Sequence, residues 1–86
     1  MNDEQIASVQ SILNEWNPLG DMAATVKDLE GYHYEAIDIL STMAVSGYSV
    51  QNAVSTILEQ AFNIMLDESK LKHYSSKIEV ALKLQL

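Results

Sequence analysis

Glu30 and His33 stand three residues apart, with Tyr34 and Asp38 close behind them. A Glu and a His at i, i+3 on a helix can share one metal ion, the arrangement that di-iron helical bundles use. Such a centre needs a matching pair from a facing helix, and the chain has only one other histidine, His73. The same residues read more simply as a solvated acidic face at a helix start, where the positive end of the dipole favours carboxylates. Glu30, His33 and Asp38 are therefore kept as a metal- or small-ligand-binding alternative, and no cofactor is expected. Nucleophilic catalysis finds no support. The chain lacks Cys and any Gly-x-Ser-x-Gly elbow, and its two histidines lie forty residues apart. Its three glycines, at 20, 31 and 47, are too scattered to cradle a phosphate. A non-enzymatic protein is the expectation.

Charge narrows the partners. The 86 residues carry a net charge of −7, unevenly laid out. Residues 1–69 hold eleven acids and one base, Lys27, whereas Lys70, Lys72, Lys77 and Lys83 follow with only Glu79 among them. There is no Arg, the preferred bidentate reader of phosphate and guanine. An acidic chain without Arg is poorly suited to nucleic acid, whose binding depends on neutralising phosphates. The four C-terminal lysines read as a solvated helix end that complements its dipole. No apolar run approaches the roughly 20 residues of a membrane span. The opening Met1–Gln5 is polar and acidic, unlike the basic start of a secretory signal. The expectation is a cytoplasmic protein that binds neither nucleic acid nor membrane.

What remains is a surface for a protein partner. Asp28, Glu30, Glu35 and Asp38 make an acidic ridge, and Tyr32 and Tyr34 sit within it. Carboxylates steer a basic partner and speed the encounter. Tyrosines supply contact area that charge does not. Tyr32, His33 and Tyr34 are consecutive and point in different directions on a helix, so not all three rings can be buried. Trp16, ahead of them, reads as a helix-end aromatic that plugs the core, with a binding anchor as the other reading.

The elements that must position these residues follow from pattern. Ile6, Val9, Ile12, Leu13 and Trp16 fall on one face of a helix over 2–16, opened by Asn2 and Gln5 as a capping box. Pro18 ends it, and Gly20 supplies a flexible or left-handed position. Residues 17–28 read as a long connection, within which 21–26 is at most a short helical turn, and Asp28 is a cap for the next helix. That helix runs from about Leu29 to Val45, with Gly31 in its first turn and Gly47 just past its end. Ser49 caps a third helix over 50–66. The last region is read as one helix from about residue 69, the alternative being a shorter one over 77–85 started by Ser76 and Glu79. No strand pattern competes. One all-α domain over 1–86 results, a small antiparallel four-helix bundle with a long first connection.

From Ile39 to Leu66 the only charge is Glu59. A central helix packed on several sides explains this, and so does an interface, since interface cores are depleted of charge. The second reading adds the expectation of a homodimer through residues 50–66.

Trp16-Asn17-Pro18-Leu19-Gly20, followed by Tyr32, Glu35-Ala36 and Ile39, resembles a small uncharacterised family of all-helical bacterial proteins. Its members carry a Trp-Asp-Pro-Leu/Ile-Gly turn and then a Tyr-x-x-Glu-Ile helix. Asn17 here stands for the usual Asp and Ala36 for the usual Ile, and the likeness covers about residues 6–40. It implies a small helical protein with no assigned catalytic residues, some of whose relatives look like immunity or accessory proteins.

Overall fold

The structure is a computed structural model that describes residues 2–84. Helix α1, Asp3–Trp16, opens with the capping box: the Asn2 side chain accepts the Gln5 N–H at 2.8 Å, and the Gln5 side chain accepts the Asn2 N–H at 3.2 Å. Four donors of a first helical turn lack intrahelical partners, so this reciprocal pair fixes the start locally. α1 stops at Asn17, which turns left-handed (φ 49°) and donates its N–H to Leu13 O at 2.7 Å. Pro18 follows, and Gly20 sits at φ 56°. The long connection contains a 3₁₀ helix, Gly20–Thr25, and a single 3₁₀ turn, Glu30–Tyr32.

Helix α2 is His33–Ser46, four residues shorter at its start than the spacing suggests. Gly31 is not in the first turn of α2: it lies in the short turn before it, with a left-handed φ of 63°. Asp28 does not cap anything, since it too is left-handed (φ 59°) and the turn after it has no side-chain cap. Gly47, at φ 68°, closes α2, and the Ser49 hydroxyl accepts the Asn52 N–H at 3.2 Å to start α3, Val50–Phe62. α3 ends four residues before the expected point. Asn63 takes a left-handed cap there (φ 52°) and bonds Glu59 O at 2.8 Å, a conformation Asn tolerates better than most residues. Ile64 and Leu66 therefore pack on the core from a connection, while Met65 points outward, 98% exposed. Helix α4, Glu68–Leu84, is the longer of the two alternatives, and the Asp67 carboxylate starts it by accepting the Lys70 N–H at 3.0 Å.

The helices form a ring in which α1 and α3 each pack on α2 and α4. Trp16 meets Tyr74, while Gln5 and Leu82 line one cavity at the other end, so α1 and α4 are antiparallel. Likewise Tyr32 meets Phe62 and Met43 lies beside Val50 at the other end of α2 and α3. Val9, Leu13, Ile39, Val54, Leu58 and Ile78 fill the centre. Trp16 is half-buried and lies at the margin of this core, stacked on Tyr74 with centroids 5.2 Å apart and planes within 9°. α3, whose one charged residue is Glu59, buries Val50, Ala53, Val54 and Leu58, and half-buries Gln51, Ser55, Thr56 and Ile57. That wide contact arc accounts for its scarcity of charge. Among the described residues, none of the exposed large apolar side chains belongs to α3, and no helix is long and apolar enough to cross a membrane.

Candidate functional site

The acidic ridge is built on backbone that few residues adopt. Asp28, Glu30 and Tyr32 all have positive φ (59°, 47° and 65°), with Gly31 between them at 63°. A left-handed conformation costs a non-glycine residue about 1–2 kcal/mol, and for a bulky ring it is a true outlier. Such geometry persists only where the surroundings over-determine it.

α1 supplies those surroundings. Gln10 donates its side-chain N–H to Glu30 O at 3.1 Å, and its amide oxygen lies 3.2 Å from His33 Nδ1. Gly31 passes so close to Asn14 that a Cβ placed there would lie 2.8 Å from the Asn14 amide nitrogen. Tyr32 then enters the core, 2% exposed, and meets the Phe62 ring edge-on at 6.2 Å. Its hydroxyl donates to Asn17 Oδ1 at 2.6 Å and accepts the Leu19 N–H at 3.2 Å. The Trp16–Gly20 turn and the ridge, separate in sequence, are thus clasped together by one phenol.

The six residues expected to meet a partner divide accordingly. Asp28, Glu30, Tyr34 and Asp38 are exposed, Tyr34 by 50%. Tyr34 and Asp38 lie one turn apart on α2 and share a face, and the Tyr34 ring stands edge-on to His33 at 5.4 Å. Tyr32 is corrected: it is a core residue and cannot contribute contact area. Glu35 is half-buried, because it lies one turn before the buried Ile39 and is drawn over the edge of the core. Its Oε1 has no hydrogen-bond partner. Burial pushes the Glu35 carboxyl above its ordinary range; its own backbone N–H opposes this, and the charge of Asp38 adds to it. Among the described residues, the ion pairs are Lys77–Glu15 and Lys83–Glu79, so no ridge carboxylate is paired.

Gln10 and Asn14, which hold the ridge, carry no signal in the sequence: they read as the polar side of an amphipathic helix. The alternative site of Glu30, His33 and Asp38 is not assembled. The left-handed Glu30 and Gly31 break the helical i, i+3 relation, and His33 faces Gln10. Among the described residues no group of three or more His, Cys, Asp or Glu side chains could hold a metal ion. Compared with protein-family models, curated proteins and solved structures, the chain matches none of them.

Proposed function

We propose that this chain is a non-enzymatic interaction module of the bacterial cytoplasm that binds a basic protein through Asp28, Glu30, Tyr34 and Asp38. One observation carries the reading: the Asp28, Glu30 and Asp38 carboxylates are exposed with no ion-pair partner among the described residues, and Glu30 stands on left-handed backbone that Gln10 of α1 holds. Rigid presentation lowers the ordering cost of binding. Three exposed carboxylates steer a cationic partner, and Tyr34 supplies an aromatic anchor of the kind that dominates interface energetics. Occlusion of a basic active or binding surface, as an immunity, inhibitor or accessory protein performs it, is the mechanism this arrangement serves.

The test is affinity capture from a bacterial lysate with the chain and with an Asp28→Asn/Glu30→Gln/Asp38→Asn variant, each at low and high salt. A basic protein retained by the chain, and lost both with the variant and at high salt, is the expected result. Retention of the same partner by the variant, or a partner without basic surface, would overturn the proposal.

A further inference from the structure

We infer that the face formed by α1 and α4 pairs with the same face of a second copy of this chain. An open groove of about 550 Å³ runs between these helices, lined by Ile12 and Ala81, by Val80 and Leu84, and by Glu15 and Lys77. Val80 is 58% and Leu84 82% exposed. They stand four residues apart on α4 and so share one outward stripe. The facing positions of α1, Ala7 and Ser11, are exposed and small, so α1 raises no barrier to close approach.

Apolar lining alone would suit many occupants. Charge and symmetry select one. α1 carries Asp3, Glu4 and Glu15 and no base, whereas α4 carries Lys70, Lys72, Lys77 and Lys83 against Glu68 and Glu79. A partner of uniform charge would be attracted by one of these helices and repelled by the other. A second copy turned about a two-fold axis parallel to the helices lays α1 over the partner's α4, and α4 over the partner's α1, at unchanged height. Glu15 and Lys77 already lie level, since they pair within one chain. The rotation therefore brings each Glu15 to the partner subunit's Lys77 and makes a four-charge cluster of alternating sign.

Area agrees with this. One long side of a 35 × 25 × 22 Å body is about a fifth of its surface of 5360 Å². That is on the order of 1000 Å², enough for the roughly 800 Å² per partner that an interface of standard size buries. An isologous pairing also closes at two copies. This places the pairing on α1 and α4, whose groove is flanked by the exposed Val80 and Leu84, instead of on the residues 50–66 expected from the sequence.

Sedimentation equilibrium from about 1 to about 200 μM, the range over which a micromolar dimer dissociates, tests this. A monomer–dimer equilibrium is expected. Val80→Glu and Leu84→Glu should each weaken it at least about tenfold, the effect of charging the centre of an interface. Both sites are exposed, so far-ultraviolet circular dichroism should not change. Glu15→Lys should weaken the dimer as well, and adding Lys77→Glu should restore it, because the pairs within and between chains are both re-formed with reversed sign. A monomer throughout the range, a dimer indifferent to Val80→Glu and Leu84→Glu, one dissociated instead by Asn52→Lys on α3, or growth beyond two copies would each overturn the inference.

Discussion

Tyr32→Phe removes one oxygen atom and tests the clasp between the Trp16–Gly20 turn and the ridge. The hydroxyl makes two hydrogen bonds, to Asn17 Oδ1 and from the Leu19 N–H. The two losses are unequal. Asn17 is exposed, so water can replace the phenol there, at a net loss of about 0.5–1.5 kcal/mol. Leu19 is only 6% exposed and its N–H would be left without an acceptor, which costs about 1–3 kcal/mol. A loss of about 2–3 kcal/mol is therefore expected, a large share of the roughly 5–10 kcal/mol that holds a domain of this size. It corresponds to a fall in Tm of about 10–20 °C. Urea melts followed by circular dichroism and by Trp16 fluorescence should show a lower midpoint with an unchanged slope. Asn17→Gly, which keeps the Leu19 bond and suits the left-handed backbone, should cost less. The phenol adds a pH signature. Burial raises the Tyr32 pKa above its ordinary value of 10.0, the Leu19 N–H opposes this, and the charge of Glu35 adds to it. A raised folded-state value means that this stabilisation is complete below about pH 10 and is lost as pH rises through the folded value. Tyr32→Phe should therefore lose less stability than the parent chain above about pH 10. A loss below about 0.5 kcal/mol at neutral pH would refute the clasp, because neither bond would then be contributing its ordinary share.

Gly31→Ala should destabilise by about 1–3 kcal/mol, since it adds left-handed strain to a clash with Asn14; in an Asn14→Ala background, urea melts should show only the strain. Ser75→Ala should raise stability by about 0.5–1 kcal/mol, because Ser75 is 4% exposed and its hydroxyl has no hydrogen-bond partner. Glu35→Gln should raise the Tm at pH 7. A carboxyl whose folded pKa is raised disfavours the fold while ionised, so the gap between variant and parent should close as pH falls through the folded value toward the ordinary one.

The legible parts of this fold are the local ones. Asn2 with Gln5, Gly47 and Ser49 act within one helical turn of themselves, so the sequence pattern alone places three helix boundaries. The Asp67 cap acts over the same short range. The connection before α2 was not legible, because its backbone is set by Gln10, Asn14, Asn17 and Leu19, thirteen to twenty residues away. Helical periodicity carried through Glu30–Tyr32 therefore gives a helix where the chain is left-handed. The burial of Tyr32 has the same origin: of three adjacent rings, the one entering from the strained turn reaches the core. The exposure of Asp28, Glu30 and Asp38 was legible, because an unpaired carboxylate is costly to bury. Glu35 departs from that rule through its one-turn offset from Ile39.

Two charged regions of the molecule follow opposite rules. On α1 and α4 opposite charges face each other, as in Glu15 with Lys77, whose ammonium this hydrogen bond keeps protonated to higher pH. Along residues 28–38 Asp28 and Glu30 stand on left-handed backbone, Glu35 is half-buried, and no base among the described residues pairs with these carboxylates or with Asp38. The left-handed backbone is held from within by Gln10 and the buried Tyr32, but the unpaired carboxylates oppose folding and no base among the described residues offsets them. Local rules broken together at one place mark a site whose requirement lies outside folding. Removing the charges should then help the fold and harm the function. Asp28→Asn/Glu30→Gln/Asp38→Asn should melt higher than the parent chain at low ionic strength, and added salt should narrow the gap by screening the repulsion in the parent. If the triple variant melts lower, the carboxylates are needed by the fold itself, and the ridge loses its standing as a binding surface.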